Sequence, residues 1–241
     1  MIHPKYININ RILGAMTFLI SFIVYFDTMA PSVSYWDCGE FIAVSYTLGV
    51  PHPPGSPLFL LLGRIASMLP ISEDIAFRVN LLSPLASAFS VLFLYFIIVQ
   101  LVNHWRGKIE TNTDALIAFG AGIVGSLTFA FTDSHWFNAV EAEVYAFSTF
   151  FTAIVVWLAL LWSEKADEKG NERYILIIAY MIGLATGLHL LNLLTIPFVA
   201  LLIYFKKYKF EWTSFFILVV VTGFVFFIIH NVIIKGMPKI A

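Results

Sequence analysis

The stretch SYWDCGEFIAVSYTLGVPHPPGSPLF (Ser34–Phe59) gathers two carboxylates, Asp37 and Glu40, a thiol, Cys38, and an imidazole, His52, in a chain with only 12% charged residues. Asp37 and Glu40 are three apart, so a helix places them on one face. A pair of this kind could hold a divalent cation. Alternatively, one carboxylate could take a proton from an attacking hydroxyl while the other positions it. The same spacing also fits a capping box at the start of a helix, with no chemistry attached. His52 could ligate a metal or donate to a phosphate or sugar, or it could pack on the proline rings around it. Cys38 reads as a metal ligand or as a small buried residue.

A second polar segment, DSHWFNAVEAEVY (Asp133–Tyr145), carries Glu141 and Glu143. Two apart on a helix, they would point to different faces, so at most one is expected beside Asp37; both also read as acidic residues at a helix start. Arg78 is a fork-shaped permanent cation suited to phosphate. Arg64 reads equally as a residue snorkelling to head groups. His189 and Asn192 stand at the end of an apolar helix. Polar groups at such depth face a cavity or pair between helices. Trp136 fits an interfacial aromatic belt. Glycine-rich phosphate loops, metalloprotease helix motifs and nucleophile elbows do not occur.

The elements that must position these residues are apolar. Hydrophobic residues make up 60% of the 241 positions, and mean hydropathy is +0.87. That leaves too little polar surface for a water-soluble globule. A net charge of -1, with few and scattered charges, argues against nucleic acid as a partner. The fold class expected is an all-α membrane protein with about seven spans. They lie near Ile12–Met29, Ala76–Val102, Ala115–Thr132, Tyr145–Trp162, Tyr174–Leu190, Leu193–Phe205 and Thr213–Ile234. The two between Tyr174 and Phe205 are short and read also as one broken unit. No small-residue cleavage site follows the first segment, which therefore reads as a span.

With the N-terminus inside, ten of the 14 Lys and Arg residues fall on the inner side, which supports a cytoplasmic N-terminus and an outward C-terminus. The first outer loop carries helix punctuation. A helix opens after Asp37 and stops at Gly49. A second opens at Ser56 with Pro57 in its first turn, runs to about Leu69, and lies at the membrane surface or dips part-way in. Ser72 opens the second span. No internal repeat is seen, and residues 1–241 read as one membrane domain. The end of the chain, KGMPKIA, follows closely on the last apolar segment and suggests the N-terminal part of a larger protein.

The segment APSVSYWDCGEFIAVSYTLGVPHPPGSPLF resembles the start of a protein O-mannosyltransferase-like membrane family of the GT-C glycosyltransferase superfamily. The matching residues are Ala30-Pro31, Asp37, Gly39-Glu40, Leu48-Gly49-Val50, His52-Pro53-Pro54-Gly55 and Pro57-Leu58. RVNLLS (Arg78–Ser83), AEVYAF (Ala142–Phe147) and GLATGLHLLNLL (Gly183–Leu194) extend the likeness. Tyr35-Trp36 and Cys38 depart from it.

The resemblance implies a seven-span module whose first outer loop carries a catalytic acid. It also implies inverting transfer of a sugar, usually mannose, from a polyprenyl phosphate to a Ser or Thr hydroxyl of a protein acceptor. The expected setting is the outer side of a bacterial inner membrane. Asp37 would be the base or acceptor-positioner, with Glu40. His52, Arg78, Glu141, Glu143, His189 and Asn192 would bind substrate. No cofactor is implied beyond a divalent cation that Asp37 and Glu40 could hold. A non-catalytic lipid-sugar-binding or assembly subunit is the second reading and a transporter the third. The transporter reading predicts repeats and mid-membrane polar residues that this chain lacks.

Overall fold

Helix signals and apolar length decide the architecture. The computed structural model describes residues 2–53 and 55–236. Pro54 of the His-Pro-Pro-Gly motif and residues 237–241 lie outside them. Helix α1 (Pro4–Thr28) starts on a proline, whose missing N–H costs nothing in a first turn. Then follow α2 (Cys38–Thr47), α3 (Pro57–Met68) and α4 (Ile75–Asn80), leading into the long α5 (Leu82–Arg106). Helix α6 (Asn112–Ala130) opens on a true capping box: Thr111 Oγ1 accepts from the Asp114 amide, and Asp114 accepts from the Thr111 amide. Helices α7 (Asp133–Ala139), α8 (Val144–Lys165) and α9 (Glu172–Thr186) are followed by a 3-10 turn, Leu190–Leu194. Helices α10 (Thr195–Lys207) and α11 (Trp212–Phe227) complete the series, and a π-helical turn (Ile228–Ile234) ends it.

Six of these segments are long and apolar enough to cross a membrane, so the chain is an integral, all-α membrane protein. Of the seven spans expected, Tyr174–Leu190 differs. It is realised as α9, only 15 residues long, because the helix ends at Gly187. Even so, α9 joins the same two ends of the bundle as its neighbours. Before it, Lys207 of α10 donates to the Ala166 carbonyl at the end of α8 and pairs with Asp167 at 3.2 Å. After it, the Gly187 and Leu188 carbonyls accept from Leu58 N–H and Ser56 Oγ, both at 2.9 Å, at the start of α3.

Helix α5 is the centre, packed by α1, α6 and α8. Close approach rests on glycine at one crossing: a Cβ on Gly122 of α6 would stand 2.8 Å from the Tyr95 ring of α5. Helix α11 packs on α10 and buries none of its residues.

The segment between α1 and α4 is not a loose surface attachment. Helices α2 and α3 bury Phe41, Ile42, Phe59 and Leu60 in a core shared with Val79, Val144, Phe151 and Leu188. The other face of α3, Leu61, Ile65 and Met68, is exposed. So α3 packs one apolar face on the bundle end and leaves the other exposed.

Candidate active site at the loop end

The loop after α1 is fixed before it reaches Asp37. Ala30 N–H donates to Val140 O at 2.8 Å, and the Asn80 amide donates to the Ala30 and Ser32 carbonyls at 2.8 and 2.9 Å. Trp36 then adopts φ 58, a conformation strained for a bulky residue and 84% exposed. Asp37 follows in a helical conformation, and its side chain makes no capping bond. The capping-box reading of Asp37 and Glu40 therefore fails. An N-cap side chain reaches back only from an extended backbone, and Asp37 is already wound into the helix.

Glu40 is used elsewhere. Helix α2 ends at Leu48, left-handed with φ 54, rather than at Gly49, and the chain doubles back. This return lays His52 over the start of α2. Its N–H donates to Glu40 Oε1 and its Nδ1 lies against Oε2, each at 2.7 Å. His52 Nε2 faces Asp37 Oδ2 at 3.9 Å. Both Glu40 oxygens are thus engaged, and Asp37 is the open carboxylate. The His52 hydrogen bond holds the Glu40 carboxyl below its usual range, and the same bond raises the His52 imidazole. One donor atom from each of Asp37, Glu40 and His52 lies within 4.8 Å of the others, a set that could hold a divalent cation.

Glu141 and Glu143 both turn toward this loop. They sit in an irregular link between α7 and α8, so the helical-face argument that admitted only one of them does not apply. Glu141 accepts from Ser34 Oγ at 2.6 Å, and Glu143 lies 3.8 Å from Cys38 Sγ. Both glutamates and Cys38 are buried. Burial pushes the Glu143 carboxyl up to about 7, with Asp37 and Glu141 adding to it. The Cys38 thiol is also raised, first by burial and then by the two glutamates, which disfavours the free thiolate and fits a buried small residue.

Three expected binders are placed otherwise. Arg78 donates to the carbonyls of Ser67 at 2.5 Å, Leu69 at 3.2 Å and Glu73 at 3.4 Å, closing the end of α3. Asn192 is buried with its amide fully used, by the Ala185 and His189 carbonyls and by Thr152 Oγ1. It shapes the turn after α9. The His189 ring packs tilted against Tyr145, with centroids 5.2 Å apart, and accepts from Leu191 N–H. Partial burial lowers its pKa. Sequence reasoning missed Ser34, which ties the loop to Glu141, and placed Ser56 only as a helix start, whereas its hydroxyl makes no capping bond and ties the loop to the α9 turn. A lone serine carries no signal of a distant partner.

Residues 37–212 match the family described as Protein O-mannosyl-transferase TMEM260 N-terminal domain. The chain is 31% identical to Protein O-mannosyl-transferase tmem260 of Dictyostelium discoideum over 76% of its length, and 29% identical to the Mus musculus protein of that name over 67%. It spans about a fifth of the length of these curated relatives, 22% and 21%. No solved structure matches.

Proposed function

The chain belongs to the Protein O-mannosyl-transferase TMEM260 N-terminal domain family, and from that premise we propose that it is the membrane-embedded catalytic module of a glycosyltransferase. Its donor is a polyprenyl-phosphate sugar, mannose by the family's naming. Its acceptor is a protein Ser or Thr hydroxyl. The loop end faces the outer side, and the N-terminus is cytoplasmic, in a bacterial-type inner membrane. The observation carrying this reading is the open Asp37 carboxylate beside the Glu40–His52 pair, at the interface end of a helical membrane bundle.

The step needs no covalent enzyme intermediate. The acceptor oxygen forms a bond to the sugar's anomeric carbon as the bond from that carbon to the phosphate oxygen breaks. Asp37 takes the hydroxyl proton, and polyprenyl phosphate departs with the electron pair. Cations must meet that phosphate. Arg78 is held by carbonyls, so the role falls to His52. Glu40 favours its charged form and aims Nε2 at the Asp37 side. Burial raises the Glu143 carboxyl, which favours its neutral form and limits the negative charge facing the phosphate.

Asp37→Asn in the full chain should cut transfer of labelled mannose from polyprenyl-phosphate mannose to a Ser/Thr peptide by about 100-fold or more, with helical content unchanged. Transfer at the parental rate would refute the assignment.

A further inference from the structure

At the end of the bundle away from Asp37, helices α1, α5 and α8 enclose a cavity of about 430 Å3. Asn10 of α1 stands about 27 Å along the helix from Thr28, at 1.5 Å per residue, nearly the thickness of a bilayer core. The cavity's polar lining consists of Asn10, Arg11, Gln100, Asn103 and Glu164. Asn103 is only 7% exposed, and its Oδ1 is buried without a partner. The same holds for Asn10 Oδ1 and for both amide atoms of Gln100. Arg11 and Glu164 are exposed, and neither joins an ion pair among the described residues.

Buried polar atoms are rarely left unsatisfied. Three of these four atoms are carbonyl acceptors, which call for a donor-rich group. A primary ammonium offers three N–H donors and no acceptor. Glu164 supplies its counter-charge. Arg11 offers a guanidinium fork to a phosphate close by. Phe96, Val99, Trp157 and Leu161 supply an apolar wall for acyl chains. We propose that this cavity binds a phosphoethanolamine lipid, ammonium inward among the amides and phosphate at Arg11. A choline head has no N–H to offer the three carbonyls. A phosphoglycerol head brings no cation to Glu164. The site is separate from the Asp37 cluster and does not depend on the reading of that cluster.

The test uses the full chain, purified and delipidated in detergent, titrated with short-chain phosphatidylethanolamine, phosphatidylcholine and phosphatidylglycerol and read by native mass spectrometry. One ethanolamine lipid per chain should be held about tenfold more tightly than either competitor. Asn103→Leu and Glu164→Gln should each remove that preference. Should Asn103→Leu fail to fold by circular dichroism, Glu164→Gln, at an exposed position, decides alone. Equal retention of the three lipids, preference for phosphatidylglycerol, or an unchanged preference in Glu164→Gln would overturn the proposal. So would free O-phosphoethanolamine competing as strongly as the lipid, which would make the ligand a soluble one.

Discussion

At the scale of single residues, the Glu40–His52 contact is a titrating pair whose pH behaviour has a definite sign. The Glu40 carboxyl is depressed, so its contribution is complete above its unfolded value, about 4.3, and fades as pH falls through the folded one. The His52 imidazole is raised, so its contribution is complete below about 6.5 and fades as pH climbs through the folded value. The pair is therefore strongest in mildly acidic solution. Glu40→Gln should return His52 toward an ordinary imidazole titration, read by NMR of labelled histidine. It should also shift the alkaline limb of the transferase pH profile downward. An unmoved His52 titration in Glu40→Gln would sever the link between them. The participants themselves were legible in sequence, because Asp37, Glu40 and His52 are polar residues in an apolar chain. Their alliances were not. A positive φ at Trp36 and a return at Leu48, where glycine would be the usual choice, decide that Glu40 meets His52 and does not cap its own helix.

At the scale of elements, the α2–α3 hairpin depends on contact too close for a side chain. A Cβ on Gly63 would run into the Ser45 hydroxyl, with Ser45 Cβ only 2.8 Å away, and Ser45 is fully buried with little room to turn. Gly63→Ala should destabilise the protein by about 1–3 kcal/mol and lower transfer, because it pushes α2, and Glu40 with it, away from the bundle. Gly120→Ala, whose Cβ meets nothing within 4 Å, is the control. It should be neutral or stabilising by about 0.5–1 kcal/mol, since alanine is the better helix former. Thermal unfolding in detergent measures both, and equal effects would refute the packing argument. Span lengths were readable from apolar runs for α6 and α8, whereas α1 begins at Pro4, eight residues before the expected Ile12, because its polar first turns carry no apolar signal. The irregular link at Glu141–Glu143 was not legible because a short helix, α7, joined to the long α8 reads as one helix start. The bonds of Arg78 to the Ser67, Leu69 and Glu73 carbonyls were not legible either, because no local spacing announces them.

For the whole molecule, the two ends of the bundle differ in what they expose, and the only cysteine is out of reach. Cys38 is buried, so the parent should not react with a maleimide that cannot cross membranes. Val50→Cys, on the exposed outer loop, should label in intact cells. Trp105→Cys, exposed at the opposite end of α5, should label only after permeabilisation. The reverse pattern would invert the proposed orientation and remove Asp37 from an outward-facing donor.

Helix α9, at 15 residues, is about 22 Å long, while α1 and α5 have 25 residues each, about 37 Å. The hydrophobic girdle of the protein is therefore lopsided, and Leu176 and Tyr180 present its short side outward. Lipid meeting that flank must pinch inward or let polar heads sink. The tilted Tyr145–His189 ring pair stands near the end of α9, next to the loop. The lipid beside this flank would be the thinnest that the molecule meets.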